Sequence, residues 1–310
     1  MTTEKTIRKP HGGKFFSGRN IFIFLMLLYP LANFLVFYVV VNFNSVLMAF
    51  QSTDEDFNAV FSGFANFRRV FETLGANGYL FQYAGNSLFF FGITLVIGFP
   101  LNMLFAYMFY MRMPGTPFFR FCLLLPAMVS GLVTAMLYSK FATFALPPLF
   151  KEWFGVETVS LLKDTRYNRW FLVLYQLFVG FSSNVIIYTN AMNQVDDSAV
   201  EAARVDGASN LRILTQVVMP IIYPTIVTFM VTGVSALFSG DASAYLFYEY
   251  SAPQNITTVG YYIFRLSKDS ASLDYSFAAA IGLVFTLITF PLTMLVKYLL
   301  DRIDPMREAA

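Results

Sequence analysis

The sequence predicts an all-α membrane protein of six transmembrane helices. Three observations predict it. Of the 310 residues, 57% are hydrophobic and only 13% are charged, where soluble domains carry about 25%. Mean hydropathy is +0.58. Six segments approach or exceed the roughly 20 apolar residues needed to cross a bilayer. Inside lipid each spanning backbone must satisfy its own hydrogen bonds, so these segments are helices.

The first span covers Ile21–Val41. Ahead of it, the tail of residues 1–20 holds Lys5, Arg8, Lys9, Lys14 and Arg19 against Glu4 alone. Lys and Arg in short flanking segments stay cytoplasmic, which puts the N-terminus inside. No small-residue cleavage pattern follows the span, so it reads as a retained anchor. The next loop, with Asp54, Glu55 and Asp56, falls outside. The second and third spans, Ser87–Tyr110 and Phe121–Ser139, are joined by a turn holding Arg112 and Arg120, which falls inside. The loop from Lys140 to Arg169 falls outside despite five basic residues, because long loops obey the charge rule poorly. Its LPPLFKEWFG stretch reads as a short interfacial helix. Trp170–Thr189 and Val217–Phe238, the fourth and fifth spans, carry more polar residues, and Phe277–Leu299 is the sixth. Lys297, Arg302 and Arg307 then place the C-terminal tail, 301–310, in the cytoplasm. The transmembrane domain is 21–300.

Several function classes are excluded. One cysteine, Cys122, makes an intrachain disulfide impossible, and one histidine, His11, leaves no His/Cys metal or haem site. A net charge of +2 gives no footprint for nucleic acid. No G-x-x-x-x-G-K-[ST] phosphate loop is present, so the chain has no ATP site of that type.

Between the fourth and fifth spans lies VDDSAVEAARVDGASNLRILTQVVMPIIYP. Ser198 and Glu201 fit a capping box, Asp196 and Asp197 suit the positive helix end, and Gly207 suits a left-handed C-cap. The expected helix runs from Ala199 to Asp206 and is too short to stand alone. Pro220 and Pro224 predict a kink at the start of the fifth span. The segment is either a well-capped connector or a rigid knob offered to a partner.

Glu201-Ala202-Ala203, then Asp206-Gly207-Ala208, then Pro220 and Pro224, resemble the EAA motif of permease subunits of binding-protein-dependent ABC importers. Met219 stands where that family usually has Leu. The six spans, the Asn86-Ser87 pair and Gly180 ahead of the motif resemble the carbohydrate-uptake branch, which includes the maltose permeases. The resemblance implies the type I importer permease fold, with residues of about 198–208 as a coupling helix. Ser198, Glu201, Ala202, Ala203, Asp206, Gly207 and Ala208 would then meet a cytoplasmic ATPase subunit. It implies a second homologous permease, leaning to a heterodimer, two ATPase subunits, and an extracellular solute-binding protein that delivers the substrate. ATP and Mg would sit on the ATPases, with no cofactor on this chain.

Thr228, Thr232, Ser235 and Ser239 are spaced by four, three and four, which predicts one helix face. Gln176, Gly180, Ser183 and Asn184 are similarly spaced on the fourth span. Uncharged hydroxyl and amide faces suit a neutral hydroxylated ligand, and Phe178, Phe181 and Phe238 could stack on sugar rings. The same residues also serve as helix-packing contacts. The maltose permeases place their site between these two helices, so Gln176, Gly180, Ser183, Thr232, Ser235 and Ser239 are the expected substrate residues. An oligosaccharide is the expected cargo. A secondary transporter or channel for a small polar solute, with Asp241 as its ionisable group, is the alternative. Another is an ABC importer of glycerol-phosphate, against which the lack of an Arg or Lys cluster in the spans counts. An intramembrane enzyme would need catalytic groups that the spans lack.

Overall fold

The computed structural model describes residues 18–53, 59–75, 78–155, 157, 160–241, 243–269 and 274–305. His11, Asp54, Glu55, Asp56, Arg307 and most of the basic tail lie outside the described residues.

The first apolar run forms α1, Gly18–Met48, longer at both ends than its apolar core. Its side chains are almost all exposed, and only its C-terminal part packs on the last helix. A short hairpin, β1 (Gln51–Thr53) and β2 (Ala59–Phe61), and a helix, α2 (Ala65–Leu74), follow. The second span is α3, Tyr79–Tyr110, which starts two turns earlier than its apolar stretch. It widens into a π-type turn at Thr94–Gly98. Gly98 lies there against α6 (Asn168–Met192), and a Cβ would come within 3.2 Å of Leu177 Cδ2.

The predicted third span is a correction. Its residues split into α4, Thr116–Met128, and α5, Gly131–Phe154, with extended backbone at Val129 and Ser130 between them. The LPPLFKEWFG stretch is helical, but it continues α5 rather than standing apart. Pro147 and Pro148 are tolerated because they fall where a π-type turn (Phe141–Ala145) gives way to the next helical segment.

After α6 come α7 (Asp197–Val205), α8 (Asn210–Ile221) and α9 (Tyr223–Ser235). The kink predicted from the prolines is present: α8 and α9 meet at 76° about Ile222. Pro224 has no N–H to give to the carbonyl of Pro220, so the helical ladder opens there. Two short helices, α10 (Ala244–Tyr248) and α11 (Val259–Lys268), lead to α12, Tyr275–Arg302. Among the described residues, five helices are long and apolar enough to cross a membrane, or six if α8 and α9 count as one bent span.

α3, α6, α9 and α12 form the bundle. α3 packs on α6, and α9 on α12. At one end a polar clasp joins α3, α6 and the loop before α11. Asn86, 2% exposed, gives its amide to the carbonyls of Gln254 (2.9 Å) and Thr257 (2.7 Å). The guanidinium of Arg169 donates to the Asn86 side chain and to the carbonyl of Asn255, and lies 4.7 Å over the ring of Phe89. Beside it, Tyr261 lies outside the spans. Burial pushes its phenol up, so it stays neutral and donates to the carbonyl of Glu249 at 2.8 Å.

The clasp seats α11 tightly. A Cβ on Gly260 would sit 2.4 Å from the Ser239 carbonyl oxygen, a backbone atom that cannot rotate away. Gly260→Ala is therefore expected to lower stability by about 3 kcal/mol, at the upper end of the overpacking range. A fall in the thermal midpoint of the purified protein is the readout. An unchanged midpoint would show that α11 is not held this closely.

Candidate functional site

Helix α7 is held by its own caps and by one side chain. Asp196 is the N-cap, accepting from the Ser198 amide at 3.0 Å. This corrects the expected capping box: Ser198 lies inside the helix, and the helix runs from Asp197 to Val205. Asp196 immediately precedes the first helical residue and has the extended backbone that capping needs (ψ 127°). At the other end Gly207 takes φ +77°. The Ala208 amide reaches the Ala203 carbonyl and the Gly207 amide the Arg204 carbonyl, both at 3.0 Å, the Schellman arrangement. Val200, 5% exposed, packs with Met192, Val195, Ile213 and Leu214. That burial supplies the stability that two helical turns lack alone.

With Val200 turned inward, Glu201, Ala202 and Val205 face outward together. Val205 is 88% exposed. Ala203 and Ala208 are half-buried against the bundle, while Ser198, Asp206 and Gly207 remain exposed. The motif thus presents a small, rigid face with an apolar tip. Val205 was not singled out from the sequence. The signal available was its place four residues after Glu201, on the same helical stripe.

Inside the bundle a groove of about 270 Å³ runs between α3, α6 and α9. Thr94 and Asn102 of α3, Asn184 and Tyr188 of α6, and Thr232 and Phe229 of α9 line it. A second cavity, of about 180 Å³, continues along the same wall and includes Gln176, Ser87 and Thr258. Phe91, Thr94, Gly233 and Ala236 line both. Among the described residues, no Asp, Glu, Lys or Arg lines either. Asn102 is 5% exposed, and its amide oxygen accepts no hydrogen bond. An unsatisfied buried acceptor costs about 1–3 kcal/mol.

The six expected ligand residues are not brought to one place. Thr232 lines the groove and Gln176 the second cavity that continues from it. Ser235 and Ser239 line a separate cavity of about 300 Å³ between α9 and α12. Helix α9 ends at Ser235, so Ser239 is past the helix and the predicted single face is broken. Gly180 is half-buried and Ser183 exposed on α6, and neither lines these cavities. Thr228, Thr232, Ser235 and Ser239 all donate their hydroxyl to carbonyls of their own segment, leaving each oxygen as an acceptor. Phe181 stacks edge-on to Phe105 and Phe238 packs on Phe285, so both are occupied as core. Asp241 accepts from the Ser243 amide at 3.0 Å and closes a turn beyond α9, outside the bundle helices.

Residues 94–307 match the family model of the binding-protein-dependent transport system inner membrane component. The chain belongs to this family. The match takes in the second half of α3 and all of α4–α12, so α7 and all of the permease's groove lining except Phe91 fall within it. The permease is 27% identical over 316 aligned residues to the arabinooligosaccharides transport system permease protein AraP of Halalkalibacterium halodurans, covering 96% of this chain and 95% of that one. It is 25% identical over 245 residues to the sn-glycerol-3-phosphate transport system permease protein UgpA of Yersinia pseudotuberculosis, covering 76% and 79%. Its fold matches a chain of a bacterial alginate ABC transporter, crystallised with an alginate-pentasaccharide-bound periplasmic protein. The TM-score is 0.75 at 20% identity, covering 93% of this chain and 96% of that one. The permease is a multi-pass protein of the cell membrane, with the helical fold of an ABC importer permease.

Proposed function

We propose that this permease subunit carries a neutral carbohydrate, an oligosaccharide, inward by alternating access driven by ATP hydrolysis on separate subunits. The observation that carries the cargo class is the uncharged groove with the orphaned amide oxygen of Asn102 in its wall. A sugar hydroxyl supplies the missing donor once the groove opens onto that oxygen, which neighbouring side chains cover in this structure. The Thr232 hydroxyl oxygen accepts from another, and Phe229 and Tyr188 offer ring faces. The AraP relative supports an oligosaccharide, and the alginate importer, whose cargo is an acidic polysaccharide, supports a carbohydrate without bearing on its charge. The likeness to UgpA favours a phosphorylated cargo as a second reading. A groove without cationic side chains does not suit it.

The remaining parts are inferred together. Both termini face the cytoplasm, as does α7, whose Glu201, Ala202 and Val205 face docks in an ATPase subunit that holds ATP and Mg. A second, homologous permease covers the exposed side of α1 and closes the groove into a pathway. A solute-binding protein docks outside, a role that the periplasmic partner in the alginate complex supports.

Asn102→Leu tests the cargo assignment. It keeps the branching and heavy-atom count of the side chain and removes the orphaned acceptor. Oligosaccharide uptake in vesicles is expected to fall about tenfold, the worth of one hydrogen bond to a buried polar group. The thermal midpoint is expected to hold or rise, because the folded protein loses an unsatisfied atom. Unchanged uptake would remove Asn102 from the site.

A further inference from the structure

We infer that the pocket enclosed by the α3–α4 turn and the end of α6 binds the headgroup of an anionic phospholipid. It lies at the end of the bundle that carries α7: Arg204 of α7 donates to Met111 Sδ at 3.1 Å. The pocket holds about 370 Å³ and is lined by Arg112, Arg120, Tyr110, Met113, Thr116 and Asn193. Neither guanidinium has an ion-pair partner among the described residues. Asp197 and Arg204 of α7, of opposite charge, both lie near Tyr110 in this wall.

The backbone points to the same use. The turn ends α3 with a Schellman motif: the Arg112 amide bonds the Phe109 carbonyl (3.2 Å), and the Met113 amide the Met108 carbonyl (3.3 Å). The left-handed position of that motif normally belongs to glycine. Here Arg112 holds it, at φ +50°. A side chain kept at a strained position marks a functional constraint, and this one lines the pocket. Helix-end carbonyls that would repel an anion are engaged, Tyr107 by Met111 and Thr189 by Asn193. The positive N-terminus of α4 opens on the same space through Thr116. Next to it, exposed Phe118, Phe119 and Phe121 make an apolar flank suited to acyl chains. Two unpaired arginines at the end of membrane helices, beside such a flank, fit a phosphate held at the bilayer boundary.

Native mass spectrometry of the full chain, titrated with phosphatidylglycerol or phosphatidylcholine in detergent, tests this. One phosphatidylglycerol is expected to bind in preference to phosphatidylcholine. Arg120→Gln and Arg112→Gly are each expected to weaken it about fivefold, the worth of one arginine beside an anionic surface. Arg68→Gln, on α2, is expected to change nothing. Arg112→Gly relieves the strained position, so its thermal midpoint is expected to rise, which separates lost binding from lost folding. Equal binding across the variants, or equal binding of the two lipids, would overturn the assignment. So would displacement of the lipid by an equal concentration of inorganic phosphate, which would make the pocket a site for free anions.

Discussion

Val205→Asp is expected to abolish ATP-driven uptake while leaving the permease folded. Val205 is 88% exposed and touches little of its own chain, so the folding change stays within about 0.5 kcal/mol. In the proposed assembly it is the apolar tip of the face that enters the ATPase cleft. A carboxylate stripped of water there without a partner costs several kcal/mol, which corresponds to a loss of coupling of about a hundredfold or more. Co-purification of the ATPase and uptake in vesicles measure the effect, and the thermal midpoint controls for folding. The inward neighbour gives the contrast. Val200→Asp puts a charge among Met192, Val195 and Ile213, so it is expected to destroy the folded protein. Equal behaviour of the two variants would refute the separation into an inner and an outer face.

Thr232→Trp is expected to reduce uptake to background, because an indole at this position fills the groove between α3, α6 and α9. Stimulation of the ATPase by nucleotide binding should persist, since α7 is untouched. Ser183→Trp on α6 is expected to keep most uptake, because Ser183 is exposed and lies off the groove wall. Both positions were equal candidates by residue type and spacing. Transport lost in Ser183→Trp and retained in Thr232→Trp would move the site to the other face of α6.

What was legible in the sequence is what local rules decide. Helix α7 could be read because its start and stop depend on neighbours in the chain: Asp196 as acceptor and Gly207 as the residue that takes positive φ. The α8–α9 bend could be read because Pro224 lacks an N–H. The precise cap could not, since Asp196, Asp197 and Ser198 are all competent and only backbone geometry chooses. The break at Val129 and Ser130 carries a local signal in Ser130-Gly131 and Pro126, but it lies within a run apolar enough that hydropathy passes straight over it. The groove was legible in kind and not in membership. Periodicity assigns residues to a face, but it does not say which face meets a neighbour. Thr94 and Asn102 of α3 line the groove because α3 packs on α6 through Gly98, a contact between residues far apart in the chain. The clasp of Asn86, Arg169 and Asn255 is similarly non-local, with partners 83 and 86 residues apart. Arg169 was counted there only as a charge in a loop.

The central claim is that separate ATPase subunits drive an oligosaccharide through this permease. The most direct measurement is uptake of labelled oligosaccharide into vesicles holding the permease with its co-purified partners and binding protein. ATP is supplied on the ATPase side, with and without ionophores that collapse ion gradients. The account predicts uptake that requires ATP hydrolysis and survives the ionophores. Uptake without ATP that follows an imposed proton or sodium gradient, and stops when the gradient collapses, would contradict it.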